Sequence, residues 1–467
     1  MKNSFWGVPT LHARCRTSSG GDFMYGSIPL QSMSNSKRRE SVQDEAVGVV
    51  DSVETTCCVV GAGPGGAILS LLMARQGIPV TLLEAHDDFD RDFRGDTIHP
   101  SVLHIMDELG LAERLLQLRH SKLHTATIAT PDGPITVADF RRVEKKFPFI
   151  MMVPQAHFLE FITNEAKQYP RFHLLMGASA QELIEEEGIV RGVRYRADDG
   201  WHEVRATLTV GADGRSSRIR KLAKFEPIKT SPPMDILWFR IPRKPEDPEG
   251  VLGYLGRGHG LVLLDRLTEW QTGFIIIKGS YSQIRAAGLE ALRKEIAALM
   301  TAFPDRIDHL QDWKQVSVLS VESSRVPTWY KPGLLLIGDA AHVMSPVGGV
   351  GINYAIQDAV VAANVLTEPL KAGRLTTDAL AEVQKQREFP TKVIQWIQAQ
   401  GQKRVITAAL RSNQQLRVPW FVRLLLRVPL IGDLPSRLIA HGVRTVHIES
   451  ANPSAESSHQ PAKTKRK

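Results

Sequence analysis

Two periodicities alternate along the chain, and each change of period marks an element. Cys57-Cys-Val-Val60 is a short apolar run that ends in Gly61-Ala-Gly63-Pro64-Gly-Gly66, after which Ala67 to Gln76 repeats at helical spacing. That order predicts a strand, a tight loop and a helix. Val80-Thr-Leu-Leu-Glu84 predicts a second strand closing on an acid, and Leu103 to Leu109 a helix stopped by Gly110. Thr125 to Val137 alternates around Pro131-Asp132-Gly133-Pro134, the pattern of a hairpin. Gln155 opens an amphipathic helix with Phe158, Phe161, Ile162 and Ala166 on one face, and strands are predicted at 172–176, 181–186 and 189–196.

The character changes between Asp235 and Ser282. Ile236–Ile241, Gly260–Leu264 and Gln271–Ile277 are β-rich runs separated by turns, which predicts an antiparallel sheet forming a second lobe. Helical patterning returns at Leu289 to Phe303, and Val316 to Val321 is another strand. Leu334-Leu-Leu-Ile337 then delivers Gly338-Asp339-Ala-Ala-His342 into a loop punctuated by Pro346, Gly348, Gly349 and Gly351. A long helix begins near Asn353, and helical pattern continues to about Ala409.

Composition narrows the class. The 467 residues are 43% hydrophobic and 23% charged, as in ordinary globular proteins, and no apolar run is long enough to cross a bilayer as a helix. The formal charge of +8 is not interleaved with aromatic residues, so no nucleic-acid module is expected. Cys15, Cys57 and Cys58 offer neither metal spacing nor a disulfide framework, which points to a reducing, cytoplasmic setting and no metal. Residues up to Val53 lack periodicity and read as a disordered extension, with a faint likeness to a transit peptide and Met33 as an alternative start. Leu416 to Val446 mixes apolar residues with Arg417, Arg423, Arg427, Arg437 and Arg444. It reads as a helical tail packed on the first lobe or, alternatively, as a basic amphipathic element at a membrane surface.

The candidate chemistry lies in the loops. Gly61, Gly63 and Gly66 fit the G-x-G-x-x-G spacing: the first permits the turn, the second admits a pyrophosphate, and the third lets helix meet strand. Pro64, in the same turn, is a further cofactor-binding candidate. Glu84 stands where a carboxylate would accept from a ribose hydroxyl. A second nucleotide-like loop some 270 residues later, counted from Gly66 to Asp339, points to one long ligand, FAD, rather than two short ones. Asp339 suits the pyrophosphate–ribityl region. Gly351 and Ile352, at a helix start, suit backbone N–H donation to the flavin edge.

Gly61-x-Gly63-x-x-Gly66, Gly211-Ala-Asp213-Gly214, and Gly338-Asp339-Ala-Ala-His342 with Pro346 and Gly351-x-Asn353 together resemble the group A FAD-dependent monooxygenases related to para-hydroxybenzoate hydroxylase. The resemblance implies non-covalent FAD, reduction by NAD(P)H, a flavin C4a-hydroperoxide as oxidant and an aromatic, polyketide-like or quinone-like substrate. It places Arg94, Gln155 and Asn353 on FAD, Asp213 on both FAD and nicotinamide, and Pro346 near the reacting edge of the flavin. It implies no catalytic side chain of its own. His342 is expected to make a structural hydrogen bond, and Arg218 and Arg220 to face either nicotinamide phosphates or solvent. Trp238, Arg240, Tyr254, Leu263 and Phe274 belong to the substrate lobe, with Trp238 and Arg240 as candidate substrate contacts. An FAD-dependent reductase of a prenyl or lipid substrate is the competing activity.

The fold expected is α/β: a Rossmann-like FAD-binding domain with an inserted antiparallel β-sheet substrate domain and C-terminal helices. Residues 1–53 form the extension, and 54–130, 151–230 and 326–410 the three parts of the FAD-binding domain. Residues 131–150 form a substrate-lobe hairpin and 231–325 the substrate sheet. Residues 411–451 form the helical segment and 452–467 a disordered tail.

Overall fold

The computed structural model describes residues 49–90, 96–412, 414, 417–428 and 430–449; the expected extension up to residue 48, Arg94 and the tail beyond 449 lie outside them. Five parallel strands organise the first lobe: Val49–Val60, Val80–Leu83, Phe172–Leu175, Gly200–Gly211 and Leu334–Leu336. Numbered in chain order they lie 3-2-1-4-5 across the sheet, the order of a doubly wound nucleotide-binding fold. The strands Ser179–Glu186 and Ile189–Ala197 extend the sheet antiparallel from Gly200–Gly211.

The central strand begins at Val49, inside the 1–53 stretch expected to lack structure, because residues 49–53 pair with Trp201–Val204. Its last four residues, Cys57 to Val60, are buried, as are all of Val80–Leu83. A strand covered on both faces reads as a continuous apolar run, which is why these short segments were visible without alternation. Burial pushes the Cys57 thiol up to about 12, so both cysteines are packing groups there.

Two helices meet at the end of this sheet. Pro64–Arg75 crosses Gly351–Lys371 so closely that a Cβ on Gly65 would lie 3.1 Å from the Ala355 carbonyl oxygen. A Cβ on Gly338 would lie 2.9 Å from the Ala355 methyl. Small residues at these three positions bring both helix N-termini and the Gly338 turn together.

The second lobe is a seven-stranded sheet in the order Ser317–Ser320, Met234–Pro242, Glu269–Ile277, His259–Asp265, Val251–Gly256, Thr125–Ala129 and Ile135–Asp139. Both hairpin strands join it. One pairing, Val251–Gly256 with Thr125–Ala129, is parallel, a departure from the antiparallel sheet expected. The hairpin arrives from the first lobe, so no tight turn constrains its direction.

Side-chain parity settles which residues face where. Leu237, Phe239, Tyr254, Leu263, Trp270 and Phe274 share the face packed on the helix Leu289–Leu299. Three of the five residues assigned to the substrate lobe, Tyr254, Leu263 and Phe274, are therefore core behind the sheet. Trp238 and Arg240 are on the opposite face.

Candidate active site

The order reversal between Val49–Val60 and Gly200–Gly211 opens a crevice beyond their carboxyl ends. The Gly61 N–H donates to Leu83 O at 2.8 Å and the Ala212 N–H to Val60 O at 2.8 Å, so both chains end level. Gly61 has φ +101°, and a Cβ there would lie 2.6 Å from Ala212 O. Gly66 is more demanding, since its Cβ would sit 2.0 Å from Gly61 O. Gly63 has open space in that direction. It is the N-cap, followed by Pro64, and no side chain caps the helix, whose N–H groups and positive end face the crevice. Gly66→Ala is expected to cost about 3 kcal/mol or more, because backbone rather than a movable side chain stands in the way. Thermal denaturation of the purified variant checks this.

Glu84 ends the neighbouring strand beside this turn. Its carboxylate accepts from the Ala62 N–H at 3.0 Å and the His86 N–H at 3.2 Å. Asp213 follows the switch-point strand and accepts from Ser217 Oγ at 2.5 Å, the Arg218 N–H at 2.7 Å and the Ile219 N–H at 3.0 Å. Its carboxylate therefore shapes the loop and caps a short helix, while burial pushes its pKa above the ordinary value. Arg218 is exposed, but Arg220 is buried, contrary to both roles expected for it. Its guanidinium donates to Arg215 O at 2.7 Å, Ala340 O at 2.9 Å and Asp339 O at 3.3 Å, fastening the second motif to the third.

Asp339 is half-buried in the turn after Leu334–Leu336. The Gly338 N–H donates to Asp358 Oδ2 at 3.0 Å, and Gly338 itself has φ +58°. Asp358 is fully buried and also meets His342 Nε2 at 2.6 Å and Arg387 Nε at 2.7 Å. Burial alone would raise this carboxyl, but His342 and Arg387 outweigh it and hold the pKa below its ordinary value. His342 thus makes the structural bond expected of it. Asp358 and Arg387 are invisible to motif reading because both sit within long helices.

The loop before Gly351–Lys371 carries Pro346, half-buried, with the Gly349 N–H donating back to Pro346 O at 3.0 Å. Gly351 and Ile352 are half-buried at a helix start with no side-chain cap. Asn353 is buried and fully engaged: it donates to Thr97 O and Gly349 O, each at 3.3 Å, and accepts from the His99 N–H at 2.8 Å. It fastens the loop to the strand Thr97–Ile98 rather than facing the crevice. His99 donates through Nδ1 to Ile439 O at 2.7 Å, and burial lowers its pKa to about 4, so the ring is neutral. Its Nε2 has no partner among the described residues and lies beside Gly349.

Asp96 joins this loop to the second lobe. It accepts from the Gln155 N–H at 3.1 Å and pairs with Arg266, which also reaches Gln271 Oε1 at 2.6 Å. Burial raises the Asp96 carboxyl more than Arg266 and Gln155 lower it. Thr97, the next residue, donates to Gly349 O at 2.9 Å. Gln271 pairs across from Arg240, so the Arg240 end of that sheet face is tied through Arg266 to Asp96, while Trp238 on the same face packs with Ile236, Ile275 and Leu410. Trp238 is half-buried beside Gly273, and Arg240 is paired with Glu269 at 3.2 Å.

Two uncapped helix starts, a glycine turn that a Cβ would fill, an acid at the strand end and an orphaned buried acceptor fit a long dinucleotide with a polar ring edge. They define a flavin-dependent enzyme of the doubly wound class. The chain belongs to the FAD binding domain family, which matches residues 54–397. It is an FAD-dependent monooxygenase, with NAD(P)H as the electron donor typical of that family. The 6-methylpretetramide 4-monooxygenase of Streptomyces rimosus is 32% identical over 405 residues, covering 86% of this chain and 95% of its own. The 12-dehydrotetracycline 5-monooxygenase/anhydrotetracycline 6-monooxygenase of Streptomyces rimosus subsp. rimosus is 26% identical over 314 residues, 65% of this chain and 60% of its own. The fold is shared with the anhydrotetracycline hydroxylase OxyS of Streptomyces rimosus, at TM-score 0.65 and 21% identity over 83% of this chain and 76% of that one.

Proposed function

We propose that the protein hydroxylates a polycyclic aromatic or quinone-like small molecule, consuming NAD(P)H and O2. The observation that supports this is the Gln271–Arg266–Asp96 link, which ties the sheet face bearing Trp238 and Arg240 to the segment whose Thr97 meets Gly349. An aromatic surface and a cation on one wall suit a flat, phenolic ring system. The 32% identity to an enzyme named for a pretetramide supports the same class.

Bound FAD supplies electron storage and oxygen activation. The chain's own residues position it. Gly61, Gly63, Pro64 and Gly66 would receive the pyrophosphate, Glu84 would accept from the adenosine ribose, and Asp339 would accept from the ribityl hydroxyls. Gly351 and Ile352 would donate backbone N–H groups to the ring edge, where the helix dipole would favour negative charge. Asn353, Arg220 and Asp358 hold those loops in place. Gln155, at the helix start bonded to Asp96, and Arg94, outside the described residues, would complete the set, and Pro346 would stand near the reacting edge. Asp213 holds its loop open for the cofactor and the nicotinamide.

Glu84→Ala is expected to weaken FAD by roughly 1.5–3 kcal/mol, about 10- to 150-fold in Kd, without changing the product. A dissociation constant equal to wild type would remove Glu84 from the site. The function is tested by screening phenols, quinones and polyketide aromatics for NADPH or NADH oxidation coupled to oxygen uptake, with a hydroxylated product. Reduction of a substrate double bond under anaerobic conditions would overturn it in favour of a reductase.

A further inference from the structure

We propose that the segment Trp420–Leu434 is a docking surface for an anionic phospholipid bilayer, seating the second lobe on the membrane. The helix Trp420–Arg427 buries no residue. Its outward face is its apolar one: Trp420 is 76% exposed, Phe421 57%, Leu424 56% and Leu425 47%. The apolar surface continues through Leu430, Ile431 and Leu434. Of its two arginines, Arg423 turns inward, donating to Asp132 O at 2.9 Å and to Thr130 Oγ1, and Arg427 is exposed at the helix end. A surface helix of a water-soluble protein has the reverse arrangement.

The segment is also fixed in place, so its apolar side cannot simply turn inward. The following helix Leu434–His441 places Ala440 in a cluster with Leu123, Phe140, Ile150 and Met152. Ser436 Oγ accepts from the Asp139 N–H at 2.9 Å, and buried Asp433 pairs with Arg142 at 2.9 Å. On the other side, Ser412 O accepts from the Gly258 N–H at 2.7 Å. These anchors fasten the surface to the hairpin tip and the turn after Gly256, both in the second lobe.

Charge identifies the occupant. No Asp or Glu occurs between Ser412 and Gly432, while Arg417 and Arg427, before and at the end of the helix, are exposed. A cationic rim about an apolar centre containing Trp complements acidic headgroups over acyl chains. A second copy docked by two-fold symmetry would set this rim against itself. With eight residues, the helix is about 12 Å long and lies in the interface. Among the described residues no helix is long and apolar enough to cross a membrane.

The test is flotation of the full FAD-loaded chain with phosphatidylcholine vesicles, with and without phosphatidylserine. Wild type should float with the acidic vesicles, less with neutral ones, and less at high salt. The triple variant F421S/L424S/L430S should float about tenfold less or worse, with flavin absorbance and solution NADPH oxidation unchanged. R417Q/R427Q should lose the preference for phosphatidylserine. Failure of wild type to float with either vesicle overturns the proposal. So does a dimer seen by light scattering that the triple variant abolishes while flotation is absent.

Discussion

An Asp339→Ala variant is expected to purify largely colourless. The carboxylate stands at the end of a buried strand, in a turn whose backbone is held from two sides: Arg220 donates to Asp339 O, and the Gly338 N–H donates to Asp358. Neither contact uses the Asp339 side chain, so both remain available to the turn when the carboxylate is truncated. A charged acceptor contributes roughly 1.5–3 kcal/mol per hydrogen bond. Two hydroxyls of a ribityl chain would then account for about 150-fold to 10⁴-fold or more in FAD affinity. Asp339→Asn, which keeps an acceptor without the charge, should fall between. The ratio of flavin to protein absorbance after purification is the measurement. Full occupancy in Asp339→Ala would show that the second FAD segment is misplaced.

The first lobe was legible because its signals are local. Gly61, Gly63 and Gly66 follow directly on Cys57–Val60, and the strand Leu334–Leu336 runs into Gly338-Asp339. Burial on both faces makes such strands stand out as apolar runs. The second lobe was less legible because parity depends on pairing across the sheet. One residue of register moves Trp238 to the face of Leu237 and Phe239, and nothing within a single strand decides which face is crevice. Tyr254, Leu263 and Phe274 were therefore grouped with Trp238 although they pack on the helix behind. The strand Val251–Gly256 went unread because Gly253 and Gly256 weaken its pattern. The supporting polar groups were hidden for a third reason. Asp96, Arg220, Asp358 and Arg387 resemble solvated charges in the sequence, and only tertiary contact turns them into buried clamps.

Those clamps separate two tasks at one site. Residues that would touch the cofactor lie on turns rich in glycine, where backbone can approach closely. Residues that hold the turns lie on helices packed against them. Arg220 spans from one FAD motif to the next, and Asn353 spans from the last motif to Thr97 and His99. The Asp96–Arg266 pair then connects the flavin side to the sheet that carries Trp238. Small losses in these contacts should alter cofactor and substrate geometry together, since each clamp joins two loops of the crevice.

Asp358 is the clamp whose removal should cost most. Asp358→Ala leaves the Arg387 guanidinium 1% exposed with no counter-charge among the described residues, its Nη atoms already without partners and its plane 5.2 Å from the Tyr354 ring. Removing one member of a buried pair costs about 3–5 kcal/mol, and the stranded Gly338 N–H adds about 1–3. Total stability is typically about 5–15 kcal/mol, so a large fall in Tm and in FAD content is expected. The double variant Asp358→Leu with Arg387→Met separates the two effects. It removes both charges, so stability should return in part, yet FAD should stay weakly bound because nothing then holds the Gly338 N–H. The pH dependence has a definite sign. The folded carboxyl is held below its ordinary 3.8, so the contribution is fully present above that value and is lost as pH falls through the lower folded pKa. Thermal denaturation and FAD titration of both variants decide the matter. A single variant as stable as wild type would dismiss the buried pair as a stabilising contact, and full FAD affinity in the double variant would dismiss Asp358 as the anchor of the Asp339 turn.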